Sequence, residues 1–393
     1  MPTLKILAIE TSCDDTAVSV VEIETQEGSQ LPIFNSLSHI VSSQTEIHQA
    51  WGGVVPNLAK REHAKNIVPV ILTALDKAGL ANEKKEAGSP INQNKKDKIN
   101  ALLEKNENLS EIFWSHIPTL APQIDAIAVT TGPGLEPALW VGISVAESLA
   151  ILWGKPLVPV NHIEGHIVSP LIENPEAKLP ALALIVSGGH TELIFIEKWG
   201  SYKKIGTTRD DACGEAFDKV GRLLDLPYPG GPEIGRLAKM AEDRKDPKEW
   251  SLPRPMIDSP DYDFSFSGLK TAVRYAIERQ KKLSTVQKEG LALEFEQAVV
   301  DVLVSKTKKA LTHFPASTLI VGGGVASNLR LRQAMNKMIS ASFSPTLLLF
   351  PPQNMTTDNA TMIGVVAGLK ISQNFDLSPI LDSNIVAKGN LSI

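Results

Sequence analysis

The chain has 393 residues, 43% of them hydrophobic, enough to build two packed cores, so two domains are expected. Lys and Arg number 39 against 44 Asp and Glu, a formal charge of -5, which excludes an overall basic field for nucleic acid and leaves any RNA to a local patch. Two cysteines, Cys13 and Cys213, exclude a disulfide framework, MPTLKILAIETS lacks the apolar stretch of a signal peptide, and no run approaches the roughly 18 apolar residues of a membrane span. A cytoplasmic, reducing location without a membrane partner is the expectation.

KILAIE, TSCDDT and AVSVVEIE read as strand, polar turn and strand. Residues 81–118, rich in Lys, Asn and Glu, read as an inserted surface segment, with one added helix between Ile99 and Phe113 or full disorder as the alternatives. IDAIAVTTGPGLEPALWVGISVAESLAILWG follows as strand, glycine turn and apolar helix, and PLVPVNH as a short buried strand leading into a helix. ALALIVS, GGHT and ELIFIEK then repeat the plan of the first hairpin. DACGEAFDKVGRLLDL and PYPGGPEIGRLAKMA read as helices. STLIVGGGVASNLRLRQAM and TLLLFPPQNMTTDNATMIGVVAGLK each read as strand, loop and helix. Two hairpins of one design, each opening half of the chain, predict an α/β protein with a duplicated domain and a cleft between the copies.

NHIEGH places His162 and His166 four residues apart, on one side of a helix, where both imidazoles can reach one metal. Two ligands do not make a site, and a satisfied pair on an ordinary helix is the alternative. In the zincin pattern the glutamate directly follows the first histidine; Glu164 stands two places on, about 200° round the helix, which weakens a peptidase reading. SGGHT, TTGPG and GGGVASN are glycine turns whose backbone N–H groups suit anions, two of them opening helices, and as a set they suit a nucleotide. Asp218 and Asp358 lie at or in helices, where Asp358 has the alternative role of a cap. Asp14 and Asp15 either shape the first turn or face a phosphate through a metal, and both cysteines read as bystanders.

ILAIETSCDDTAVSVVE, GGVVPNLAKREH, TTGPGLEPAL, NHIEGH, LIVSGGHTEL, DDACGEAFDKVGRLL, YPGGPEI, FSFSGLKTA, VGGGVASNLRLR and TTDNATMIG occur together, in this order. The chain thereby resembles the tRNA N6-adenosine threonylcarbamoyltransferase family, formerly called O-sialoglycoprotein endopeptidases, over nearly everything outside 81–118. The resemblance implies two duplicated actin-like (ASKHA) domains around a nucleotide-binding cleft: 1–155 as domain I, 156–372 as domain II with the metal and most nucleotide contacts, and 373–393 packing back on domain I. It implies a metal-dependent acyltransferase that moves the threonylcarbamoyl group of threonylcarbamoyl-AMP to N6 of adenosine 37 in tRNAs reading codons that begin with A.

The ligands implied for one divalent metal, iron with zinc as the alternative, are His162, His166 and Asp358. Those implied for the adenylate, whether threonylcarbamoyl-AMP, ATP or AMP, are Ile185, Val186, Ser187, Gly188, Gly189, Asp218, Gly231, Gly235 and Asn328. The resemblance supplies no general base; His190 is a candidate by position alone. tRNA is the implied partner, with a smaller actin-like companion and an ATPase as helpers, and the segment 81–118 bears on the companion's interface. Lys60 with Arg61, or Arg330 with Arg332, are the local basic clusters offered to tRNA. Glu136 and Pro137 depart from the family pattern, which puts the loop near them in question. The rival reading is an ATP-dependent small-molecule kinase of the same fold, which has no evident use for the His162, His166 and Asp358 set.

Overall fold

The computed structural model describes residues 3–25, 31–81, 91–245, 249–280, 282–373, 386–390 and 392. They form two compact units, one of 1–48, 54–176 and 358–393, the other of 49–53 and 177–357.

In the first unit, β1 (Thr3–Glu10), β2 (Asp15–Glu24) and β3 (Ile33–Ser43) are antiparallel neighbours. After α1 (Thr45–Gln49), α2 (Pro56–Lys77), α3 (Gln93–Leu103) and α4 (Leu109–His116), β4 (Ala126–Gly132) joins β1 in parallel. Then α5 (Glu136–Trp153) leads to β5 (Leu157–Asn161), parallel to β4, and to α6 (His162–Val168). The sheet order is β3-β2-β1-β4-β5.

The second unit repeats this plan. β6 (Ala181–Val186), β7 (Thr191–Lys198) and β8 (Ser201–Thr207) are antiparallel; α7 (Cys213–Leu223), α8 (Gly230–Arg244), α9 (Ser267–Gln280) and α10 (Thr285–His313) follow. β9 (Thr318–Gly322) runs parallel to β6, and α11 (Leu329–Ser342) leads to β10 (Leu347–Leu349) beside β9. The order β8-β7-β6-β9-β10 matches that of the first sheet strand for strand, which is the duplication read from the two hairpins. The chain then returns to the first unit with α12 (Ala360–Ser372).

The central strand β1 is buried on both faces because successive side chains alternate between two helical layers. Leu7 and Ile9 join the core beneath α2 and α5, whereas Ala8 and β2's Val21 lie under α12, whose Gly364 would place a Cβ 2.5 Å from Val21 Cγ2.

Two sequence expectations change, the unit boundary and the character of 81–118. Residues 156–176 and 358–372 belong with the first unit, because β5 extends the first sheet and α12 packs on β1 and β2. Of 373–393, residues 374–385, 391 and 393 lie outside the described set; Ala387 joins the first core, and Lys388 N–H donates to Thr131 O at 2.8 Å. Within 81–118, residues 82–90 are outside it too, but the rest forms two helices whose Ile99, Leu103, Leu109 and Phe113 are fully buried. Their apolar positions fall at helical spacing, and burying them against α2 and α5 outweighs a charged composition. Helix α5 also has the length and hydropathy of a membrane span, although no long uninterrupted apolar run marks it; 72% of its 18 residues are buried in the protein.

His63, from KREH on α2, braces the first hairpin turn: its Nδ1 lies 2.8 Å from Thr16 Oγ1 and its Nε2 donates to Cys13 O at 3.1 Å. Burial pulls its pKa down to about 4. The folded state therefore binds fewer protons than the unfolded chain between pH 6.5 and about 4, and stability falls as pH drops through that window. His63→Gln should relieve up to about 3 kcal/mol of this acid loss. Urea midpoints at pH 7.5 and 4.5 check it: the drop should be smaller in the variant, and equal drops refute the assignment.

Candidate metal centre and glycine turns

Asn161, the last residue of β5, caps α6 by accepting from Ile163 N–H at 2.8 Å and Glu164 N–H at 3.2 Å. The helix therefore starts at His162, and the four-residue spacing stacks its two imidazoles edge to face, centroids 4.6 Å apart. Gly165 lets α6 approach α12, since a Cβ there would fall 2.9 Å from Met362 Cγ. Asp358 is not the cap of α12. Asn359 takes that role, accepting from Met362 N–H at 3.0 Å, and leaves Asp358 free. Its Oδ1 lies 3.4 Å from His162 Nε2 and 3.3 Å from His166 Nε2, and one ligand atom from each of the three residues lies within 4.8 Å of the others.

Glu10 orients the first imidazole. Its Oε2 lies 3.0 Å from His162 Nδ1 and accepts from Thr130 Oγ1 at 2.6 Å, while its Oε1 accepts from Ser12 N–H at 2.5 Å. Burial opposes charge on Glu10, but His162 outweighs it and holds the carboxyl below its ordinary pKa, so Nδ1 carries the proton and Nε2 faces Asp358. Burial likewise opposes charge on His162, yet Asp358 and Glu10 together push its pKa up to about 10; burial keeps that of His166 low. Despite its nearness to Asp358, His166 Nε2 makes no hydrogen bond of adequate geometry and is fully buried. A buried orphan nitrogen beside a second imidazole and a carboxylate fits the donor set that a divalent ion takes, with a carboxylate–histidine brace behind it. Asp358 remains 23% exposed, which leaves the cluster one open side.

Glu164 is committed elsewhere, paired with Lys370 Nζ at 3.2 Å on α12. It does not serve as a peptidase base. Near the first turn, burial pushes Asp15 up to about 7 and its Oδ1 lacks a partner, while Asp14 O accepts from Gln44 N–H at 3.1 Å. Burial raises both thiols, Cys13 and Cys213, so they are weak nucleophiles. Pro137 stands in the first turn of α5 with Glu136 beside it, so the departing pair reads as a helix start, where proline and an acid are favoured.

All nine residues matched to the adenylate site lie in the second unit. Ser187 closes the β6–β7 turn: its N–H donates to His190 O at 2.9 Å and its Oγ accepts from His190 N–H at 3.1 Å. Gly188 and Gly189 form an exposed tip with open space where a Cβ would be, as does Gly231. Gly214 N–H donates to Ser187 O at 3.1 Å, bringing the start of α7 to the turn; Asp218 accepts from Gly230 N–H at 2.8 Å, bringing the start of α8 to α7. Asn328 caps α11 and donates to Glu296 Oε1 at 2.6 Å, and Gly235 lies beside the same oxygen. The side chains of Ile185 and Val186 are wholly buried, so only their main chain is available to a ligand. Gly323, at φ 88°, would drive a Cβ to 2.4 Å from Val186 O, which fixes glycine in GGGVAS.

The turns thus join three helix starts, a setting for an anion. Glu296, Glu10 and Ser12 are absent from the sequence reading. Glu296 could have been found as a carboxylate on the buried face of α10, between Ala292 and Val299, and Glu10 as an acid ending a buried strand. Arg330 and Arg332 are consumed internally: the first pairs with Glu296 at 2.7 Å, and the second donates to Ala326 O at 2.7 Å and Pro351 O at 3.1 Å. They form no free patch. Lys60 donates to Lys105 O at 3.2 Å, while Arg61 stays exposed.

A family model described as tRNA N6-adenosine threonylcarbamoyltransferase matches residues 35–87 and 117–365. The chain belongs to that family. Relatives bearing the same name include one from Thermosipho africanus, 40% identical over 388 residues and 99% of each chain, and one from Acaryochloris marina, 42% identical over 364 residues, 91% of this chain and 86% of the relative. Among solved structures, full-length HypF in its phosphate- and nucleotide-bound form superposes with a TM-score of 0.53 at 11% identity, over 98% of this chain and 47% of HypF; that of T. kodakarensis gives 0.52 at 12%, over 95% and 48%. These share the actin-like fold alone. The matched range contains all three candidate metal ligands and all nine residues matched to the adenylate, and the kinase rival is not favoured.

Proposed function

We propose that this chain forms threonylcarbamoyladenosine in tRNA: the N6 amine of adenosine 37 attacks the carbamoyl carbon of threonylcarbamoyl-AMP, the bond from that carbon to the phosphate oxygen breaks, the amine loses a proton, and AMP leaves. The observation that carries this reading is the His162, His166 and Asp358 cluster, complete within a chain that matches relatives of that name over nearly its whole length. His162, His166 and Asp358 would hold one divalent ion, iron before zinc, which when bound would polarise and orient carbamoyl or phosphate oxygens. Glu10 fixes the imidazole tautomer that aims Nε2 of His162 at that ion. The main-chain N–H groups of Gly188 and Gly189, with the neighbouring helix starts, suit the adenylate phosphate, and their missing side chains permit close approach. The general base is not assigned.

The test is incubation of purified protein with threonylcarbamoyl-AMP and unmodified tRNA carrying A37, nuclease digestion, and mass spectrometry of the nucleosides. Threonylcarbamoyladenosine is the expected product, with a smaller actin-like companion and an ATPase supplied in a parallel arm. No product in either arm would overturn the reading.

A further inference from the structure

Gly235 sits in the interior of α8 with ordinary helical backbone, where glycine lowers stability relative to alanine. Packing does not require it. A Cβ there would meet a single atom within 4 Å, Glu296 Oε1 at 3.5 Å, an ordinary contact, whereas a Cβ on Gly230 would strike Phe217 O at 2.7 Å. Gly231, one turn before Gly235 and on the same face, has open space in place of a Cβ. Two glycines a turn apart thus bare a strip of α8 that leads from its first turn to one carboxylate oxygen.

That carboxylate has bonding capacity to spare. Glu296 is 4% exposed, and among the described residues it accepts only from Asn328 Nδ2 on Oε1, at 2.6 Å, and from Arg330 Nε on Oε2, at 2.7 Å. A carboxylate has room for about four such bonds, and leaving a buried acceptor unfilled costs stability. Oε1 therefore keeps an acceptor place next to the space that Gly235 leaves. Only a donor suits it, which excludes the phosphate of a bound nucleotide. The start of α8 is among the helix starts that suit that phosphate, and Gly235 stands four residues past Gly231, about 6 Å along the axis. This is close to the span from a 5′-phosphate to the ribose hydroxyls, whereas the adenine amine lies farther off. An acid accepting from a ribose hydroxyl also recurs in nucleotide sites of other folds.

We infer that Glu296, left open by Gly235, selects a ribonucleotide: its Oε1 accepts from a ribose hydroxyl of the bound adenylate. Gly231, Gly235, Glu296, Asn328 and Arg330 all lie in the second unit. The inference rests on the proposed adenylate site, though not on transfer to tRNA.

Calorimetric titration of the full chain with AMP, 2′,3′-dideoxy-AMP and IMP tests it, for wild type, Glu296→Gln and Gly235→Ala. Wild type should bind AMP at least about tenfold more tightly than the dideoxy nucleotide, because a site built for a hydroxyl rejects the analogue that lacks it. In Glu296→Gln that ratio should fall below about threefold, with the ratio of AMP to IMP unchanged. Gly235→Ala should weaken AMP binding about tenfold while Tm holds or rises, a pairing of effects that a merely structural glycine would not give. Equal wild-type affinity for AMP and the dideoxy nucleotide overturns the inference. So does an equal loss of both in Glu296→Gln, which marks a residue that only positions Asn328 and Arg330. A Glu296→Gln variant that instead loses the distinction between AMP and IMP puts the carboxylate at the adenine amine and overturns the ribose assignment. No AMP binding in wild type overturns the inference together with the adenylate site. Ribose selection in a protein that forms no threonylcarbamoyladenosine refutes the transferase reading alone.

Discussion

Replacing His166 by alanine should take bound iron or zinc from about one per chain to none and cut threonylcarbamoyladenosine formation at least about 100-fold. With His166 gone, a single imidazole and Asp358 remain, fewer protein ligands than a catalytic ion requires. Folding should survive, because the lost Nε2 has no hydrogen bond to forfeit and α6 keeps its cap on Asn161. Elemental analysis reads the stoichiometry, and thermal melts with and without added metal separate binding from folding. Wild type should gain several degrees from the ion and the variant none, since only a ligand of the native state raises Tm. A variant that retains one ion per chain would remove the cluster from consideration as the metal site.

Much of this site was legible in the sequence because its parts are local. A helix of known spacing places His162 under His166, and glycine turns between strands announce main-chain donors. What escaped reading depends on pairings distant in sequence: Glu10 meets His162 across 152 positions, and Glu296 meets Asn328 across 32. For Asp358 the resemblance implied a ligand, but its own position left a cap as the alternative. An aspartate before a helix can cap it, and only Asn359 in the next position, taking that bond, frees it for the imidazoles. The unit boundary failed for a related reason, since a strand or helix reveals its own period but not which sheet it joins. β5 and α12 are apolar enough for either unit, and pairing with β4 and packing on β1 and β2 decided the matter. Arg330 and Arg332 illustrate the converse error: clustered cations look solvated until their internal acceptors are seen.

Phe113→Ala should cost about 3 to 5 kcal/mol of unfolding free energy, a loss that a surface attachment could not produce. Its ring is fully buried and meets Trp114 edge to face at 5.5 Å, while Ile99, Leu103 and Leu109 close around the same core as α2 and α5. Polar bonds pin the pair: Trp114 Nε1 donates to Asn100 Oδ1 at 2.7 Å, and Ser110 Oγ to the same oxygen at 3.1 Å. The family model passes over 88–116, yet α3 and α4 within that stretch bury Ile99, Leu103, Leu109 and Phe113 in the first core, so both helices are part of one cooperative unit. Urea unfolding of Phe113→Ala against Glu111→Ala, an exposed change on the same helix expected to stay within about 0.5 kcal/mol, decides it. A loss below about 1 kcal/mol for Phe113→Ala would mean that α3 and α4 can detach without opening the core, and the segment would revert to the appendage its composition suggested.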